Sequence, residues 1–227
     1  MSKKLTPKMI FNEDTINVFT DASMEPDNYH GCAGAVLVDQ FYKATYRDIV
    51  LKKSNTYRSE LIAIKLGIIE GLKTGRKNIN IFSDSLLSIN GLRKWVFNWQ
   101  KRSKDDILLT SEDKKVVNMD IIYDIIKMIT KHDDRNINLF HQKGHIGPKD
   151  TAKVMALFKR TNGYSIDRKM VAVLKQYNDM VDHCTRTNLK TRNTIKRRYK
   201  AHGRMFYKLP NSKKLLNKYK EKAIIKI

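Results

Sequence analysis

Three short segments of alternating apolar and polar residues crowd into the first fifty positions, and helical and extended patterns then take turns. That order restricts the fold more than any other feature of the chain. Ile16–Thr20 alternates like a strand and ends at Asp21, Ala33–Val38 reads as a second strand, and Phe41–Leu51 as a third, with turn-forming residues at 24–31. From Ser59 onward Leu61, Ile64, Ile68 and Leu72 recur at helical spacing, with Asn55 and Thr56 offering the start and Gly75 the end. Asn78–Phe82 is a short strand leading to Asp84. Ser88–Gln100 reads as a helix carrying Trp95 and Trp99, Val116–Thr130 as another, Ile137–Phe140 as a fifth strand, and helical patterns follow at 151–159 and 168–186. The order βββ-α-β-α-α-β-α predicts an α/β fold: a mixed five-stranded sheet, three antiparallel strands and then parallel ones, with helices on both faces.

The 227 residues allow one core domain of about 150 residues plus extensions. We expect an N-terminal extension at 1–15, a catalytic domain at 16–186 and a basic C-terminal extension at 187–227. No apolar run reaches the roughly 20 residues of a membrane span, and no apolar stretch follows the charged N-terminus, so an intracellular protein without a membrane partner is expected. Two cysteines, Cys32 and Cys184, in no Cys-x-x-Cys pair, argue against structural zinc and a disulfide framework. A net charge of +22 favours a polyanionic partner, because neutralised phosphates release counterions. Residues 186–227 supply much of it, with 15 Lys/Arg against one acid, Glu221. There Tyr199, Phe206, Tyr207 and Tyr219 interleave with the cations, a pattern suited to base stacking between phosphate contacts.

Four acids stand out by position. Asp21 follows the first strand, Glu60 sits in the first turns of the first long helix, Asp84 follows the fourth strand, and Asp182 lies on the last helix with Asp179 three residues before it. Alone, each is readily a cap or a solvated charge. Converging in one cleft, four carboxylates repel one another unless cations neutralise them, and hard oxygen ligands suit Mg²⁺ or Mn²⁺. Two such ions about 4 Å apart can activate water and stabilise the leaving oxygen of a phosphodiester.

The joint pattern resembles type I of the ribonuclease H family. Val18-Phe-Thr-Asp-Ala-Ser23 looks like its first-strand motif, Tyr57-Arg-Ser-Glu-Leu-Ile-Ala63 like its glutamate-bearing helix, and Ile81-Phe-Ser-Asp-Ser85 like its fourth-strand motif. Lys143-Gly-His-Ile-Gly147 looks like its histidine loop, and Asn178-Asp-Met-Val-Asp182 like its final acidic segment. The resemblance implies an endonuclease that cuts the RNA strand of RNA–DNA hybrids with two Mg²⁺ ions, Mn²⁺ being the alternative, and a monomer is the simpler expectation. Asp21 would bridge both ions, Glu60 and Asp84 would complete the one near the leaving oxygen, and Asp182 would help hold the one that activates water. Asp179 competes with Asp182, which the Asn-acid-x-x-Asp spacing favours. His145 would assist proton transfer or product release.

The segment from Trp95 to Asp120 resembles the basic protrusion of some type I members. Lys94, Lys101 and Arg102 are candidates for holding the DNA strand, with Trp95 and Trp99 sharing a helix face beside them. Ordinary core packing is the competing reading for at least one tryptophan. Arg58, Ser85, Lys143 and Asn178 complete the expected hybrid contacts. Ala22, Tyr57 and Leu86 depart from the family's pattern near the RNA strand, where 2′-hydroxyls are sensed. The largest departure is 148–177, an insertion where the family has a few residues. The competing functions are a resolvase-like or transposase-like DNA nuclease on the same fold, and a non-catalytic nucleic-acid-binding module. The histidine loop and the full set of acids disfavour both.

Overall fold

The computed structural model describes residues 3–25, 29–104, 107–191 and 217–220. Strand β1 (Lys3–Leu5) and a helical turn α1 (Pro7–Ile10) lead into the central strand β2 (Thr15–Glu25). Then come β3 (His30–Val38), β4 (Ala44–Leu51), α2 (Thr56–Lys73) and β5 (Asn78–Ser83). After them run α3 (Leu86–Asn90), a wide π-type turn at Gly91–Trp95, α4 (Val96–Lys101), α5 (Met119–Lys131) and β6 (Asn136–His141). The last elements before the tail are α6 (Thr151–Asn162), β7 (Tyr164–Ile166) and α7 (Arg168–Thr191).

The main sheet has the order β4-β3-β2-β5-β6, antiparallel across β4-β3-β2 and parallel across β2-β5-β6, as the pattern of segments predicts. Its parallel half is pinned by like residues in register. Phe19, Phe82 and Phe140 stack in a row with centroids 4.9 and 5.0 Å apart. Two residues earlier, Asn138 donates to Asn80 (2.9 Å) and Asn80 to Asn17 (3.0 Å), and Asn17 donates to the Ile10 carbonyl. These rows face α6 and α7. The alternate residues Ile16, Val18, Ile79, Ile81, Ile137 and Leu139 join a second core under α2 and α5. Period-2 side-chain alternation thus gives a sheet buried on both faces. Helix α2 starts where the Asn55 side chain accepts the Arg58 N–H, 2.9 Å away, satisfying one orphan donor of its first turn.

Several boundaries differ from the sequence reading. Strand β2 continues to Glu25 because β3 pairs with it as far as His30, so Asp21 lies inside the strand. The expected helix Ser88–Gln100 is three pieces, widened at Gly91, where the Tyr57 hydroxyl packs too closely for a Cβ. Helix α5 begins at Met119 because Asn118 adopts a left-handed conformation (φ 59°) and Val116 N bonds back to Leu108 O. The inserted segment is not a free appendage: β7 pairs in parallel with β1, and Leu5 and Ile10 share a core with Phe158 and Tyr164. Tyr219 is corrected most. It is 1% exposed, stacks on Phe97 (5.7 Å) and is closed off from base stacking, while Lys218 pairs with Asp133. Tyr199, Phe206 and Tyr207 lie outside the described residues. Truncating the tail therefore removes a core side chain as well as charge.

Replacing Asn80 by Ala deletes both its donor to Asn17 and its acceptor for Asn138 at a buried site. Urea denaturation should show a loss of about 2–4 kcal/mol. A loss below about 0.5 kcal/mol would mean that the amide ladder does not hold the parallel register.

Candidate active site

Parallel pairing matches Thr20 with Ser83 and Ser83 with His141, so Asp21, Asp84 and the 142–147 loop emerge at the same end of three adjacent strands. Glu60, in the second turn of α2, points at that end from one face. Oxygens of Asp21, Glu60 and Asp84 all lie within 4.8 Å of one another. Asp21 and Glu60 are 7% and 8% exposed, and Glu60 Oε2 has no hydrogen-bond partner among the described residues.

The electrostatics follow from this crowding. Burial, then the charges of Asp21 and Asp84, push the Glu60 carboxyl well above its ordinary range. Asp84 is pushed up to about 6 by burial and by Asp21, with His145 opposing. Asp21 is raised by burial, and a hydrogen bond from Thr185 offsets part of that rise. Two buried carboxylates and a partly buried third, all disfavouring their own ionisation, form a donor set that fits a hard divalent cation.

Asp182 approaches from α7, and its charge raises both Asp21 and Asp84. Arg186, one turn on, pairs with its Oδ1 at 2.7 Å. Asp179 instead pairs with Lys175 on the outside of the helix. Gly34, opposite Asp21, lets α7 come this close, since a Cβ there would meet the Thr185 methyl at 2.5 Å. Gly144 is required for the same reason: a Cβ would collide with the Asp84 carboxylate. His145 follows it, exposed, with φ 47°, on a loop that Asp150 braces by accepting from Lys143 Nζ (3.1 Å) and Gly147 N (3.0 Å).

The expected nucleic-acid contacts divide into two groups. Lys94, Lys101 and Arg102 are exposed along the π-type turn and α4, with Trp95 half-buried among them. Trp99 packs on the core. Arg58 is held in a bidentate pair with Asp120 (2.6 and 3.0 Å) and also donates to Asn118. Asn178 is 1% exposed and accepts from Gln142 at 2.6 Å. Ser85 caps α3. Lys143 is tied to its own loop. Of the departures noted in the sequence, Tyr57 is half-buried against the core, and Leu86 is exposed beside Asp84.

The sequence reading missed Thr185, whose Oγ1 donates to Asp21 Oδ2 (3.0 Å) and lies 3.2 Å from Ser23 Oγ. Its position three residues after Asp182, on the same helix face, was the available signal. It also missed Asp120, whose role depends on Arg58, 62 positions away.

Comparison with known proteins agrees with this geometry. The RNase H family model matches residues 13–159, more than half of the chain, and the protein belongs to that family. The match includes Asp21, Glu60, Asp84 and His145 and ends before Asp182. A ribonuclease HI of Haemophilus influenzae is 33% identical over 137 residues, which is 60% of this chain and 81% of that protein. One from Pasteurella multocida is 33% identical over 135 residues, 58% and 79% of the two chains. A ribonuclease H of Wolbachia pipientis wMel is 25% identical over 145 residues, 63% and 92%. Among the described residues no helix is long and apolar enough to cross a membrane.

The raised Asp84 carboxyl gives a signed prediction. Its folded pKa of about 6 exceeds the ordinary aspartate value of 3.8, so the folded state binds more protons between those limits. In EDTA, stability is therefore greater below about pH 4 with respect to this group and is lost as pH rises through about 6. Asp84→Asn should remove that part of the pH dependence and raise metal-free stability near pH 7 by about 2 kcal/mol. Equal stability of variant and parent across this range would contradict the crowding of the carboxylates.

Proposed function

We propose that this protein is an endonuclease that hydrolyses the RNA strand of RNA–DNA hybrids, with Mg²⁺ or Mn²⁺ held by Asp21, Glu60, Asp84 and Asp182. The observation that carries the reading is the convergence of three carboxylates, two buried and one partly buried, at one end of the parallel strands, in a chain of the RNase H family with a net charge of +22.

Divalent ions at such a site supply a water nucleophile at neutral pH and charge stabilisation for the leaving oxygen. The chain supplies the rest. Asp21 is fixed in orientation by Thr185, and Arg186 holds Asp182 beside it. Glu60 and Asp84 are delivered from a helix and a strand that share one core, which preorganises their oxygens. His145, exposed on the loop over Asp84, is placed to pass a proton to or from the scissile phosphate. Lys94, Lys101 and Arg102 line a positive surface for the DNA backbone, and Trp95 lies among them. Arg58 acts indirectly, joining α2 to the start of α5 through Asp120.

The test uses matched hybrid, double-stranded RNA, double-stranded DNA and single strands, with Mg²⁺, Mn²⁺ or EDTA. The expected result is divalent-ion-dependent cutting of the hybrid's RNA strand alone, reduced at least about a thousandfold in Asp84→Asn. Cutting of branched or duplex DNA instead would overturn the substrate assignment, and binding without cutting would overturn the enzymatic one. Thr185→Val should lower kcat about tenfold with KM nearly unchanged, because it frees the carboxylate without touching substrate. An unchanged kcat would remove Thr185 from the mechanism.

A further inference from the structure

Strand β6 is the edge of the main sheet, and among the described residues no sixth strand pairs with its outer side. At its last residue, next to the candidate active site, a side chain takes that place. Asn162 ends α6, in the inserted segment and beyond the residues matched by the family model. Its Nδ2 donates to the His141 carbonyl at 2.7 Å, and its Oδ1 accepts the His141 N–H at 2.9 Å. One amide thus satisfies both outward backbone groups of His141, as a neighbouring strand would. Asn162 is 5% exposed, and Arg93 donates to its Oδ1 (3.1 Å) and to Thr161 O (3.4 Å), which fixes the way the amide faces.

The residue so clamped reaches the carboxylates by two routes. The His141 imidazole, 4% exposed, lies against the backbone of Asp84, and its buried Nδ1 has no hydrogen-bond partner among the described residues. Three residues on, Gly144 lies against the Asp84 carboxylate, and His145 follows. Gln142 between them bonds Ser83 O through its backbone and Asn178 through its side chain, which leaves the loop little freedom to move independently of His141.

We propose that Asn162 is a positioning residue for the active site: by clamping the end of β6 it holds His141 on the Asp84 backbone and sets the loop that carries Gly144 and His145 over the Asp84 carboxylate. This assigns the insertion a role in building the site. The role rests on reading Asp84 as a divalent-ion ligand.

The experiment compares the full chain with Asn162→Ala and with Asn162→Asp, which keeps the acceptor for the His141 N–H and for Arg93. Four quantities are read: thermal midpoint, amide hydrogen exchange at His141, Mg²⁺ affinity by calorimetry, and kcat and KM on a hybrid. In Asn162→Ala the His141 amide should exchange at least a hundredfold faster. Mg²⁺ should bind several-fold more weakly, and kcat should fall ten- to a hundredfold with KM within twofold. Asn162→Asp should recover most of the exchange protection and part of the kcat. Faster exchange at His141 with unchanged Mg²⁺ affinity and kcat would overturn the proposal, as would a kcat that falls only in proportion to the unfolded fraction. Should the parent protein leave hybrids uncut, the substrate reading fails while Mg²⁺ affinity still decides the role of Asn162.

Discussion

The parallel register of β2, β5 and β6 is the constraint on which the rest of the site depends. Side chains alternate across a strand with period two, so a slip of one residue would send every inward group to the other face. Here the register is written twice on the same face, in the Phe19–Phe82–Phe140 stack and in the Asn17–Asn80–Asn138 ladder. The aromatic row contributes about 0.5–1.5 kcal/mol per pair beyond its buried area. The amide row adds discrimination, because a shifted strand would leave buried amides facing apolar neighbours. With the strands locked, Asp21 and Asp84 have no choice of depth, and the loop after His141 falls over them.

What gathers at that end works against folding. Asp21 and Glu60 are buried and Asp84 is partly buried within reach of both, and their raised pKa values express the cost of ionising there. The cores on both faces of the sheet offset that cost, and so do local devices: the Thr185 hydroxyl on Asp21, Arg186 on Asp182, and His145 near Asp84. A divalent cation held there, as proposed above, would relieve the same repulsion and so would also stabilise the fold. The two elements outside the family match near the site, the end of α6 and α7, supply Asn162, Asp182 and Thr185. The insertion and the last helix are thus part of the architecture around the carboxylates.

Much of this was legible in the sequence because it is local. Strand alternation, the Asn55 start of α2, Glu60 in the early turns of that helix and Asp84 just after the fourth strand need only neighbours along the chain. The illegible parts depend on distant partners. Strand β2 runs past Asp21 because His30 pairs with Glu25, and the break at Gly91 answers to Tyr57 from another helix. Arg58 and Asn178 have the composition of ligand-binding residues, yet one is tied to Asp120 and the other is buried against Gln142. Tyr219 sits in a basic, aromatic tail that reads as a stacking surface, and its burial on Phe97 is invisible without the fold. Asn162 gives no sequence signal at all, since an amide that imitates a strand is recognised only beside the edge it completes.

The most direct test of the central claim, that the carboxylates at the end of the parallel strands form the divalent-ion site, is Mn²⁺ titration followed by paramagnetic broadening of backbone amide resonances. At substoichiometric Mn²⁺ the account predicts that Ala22, Glu60, Ser85, Gly144 and His145 broaden first, before the amides near exposed acids such as Glu112 and Asp134. Broadening centred on those exposed acids, or spread evenly over the surface, would contradict it.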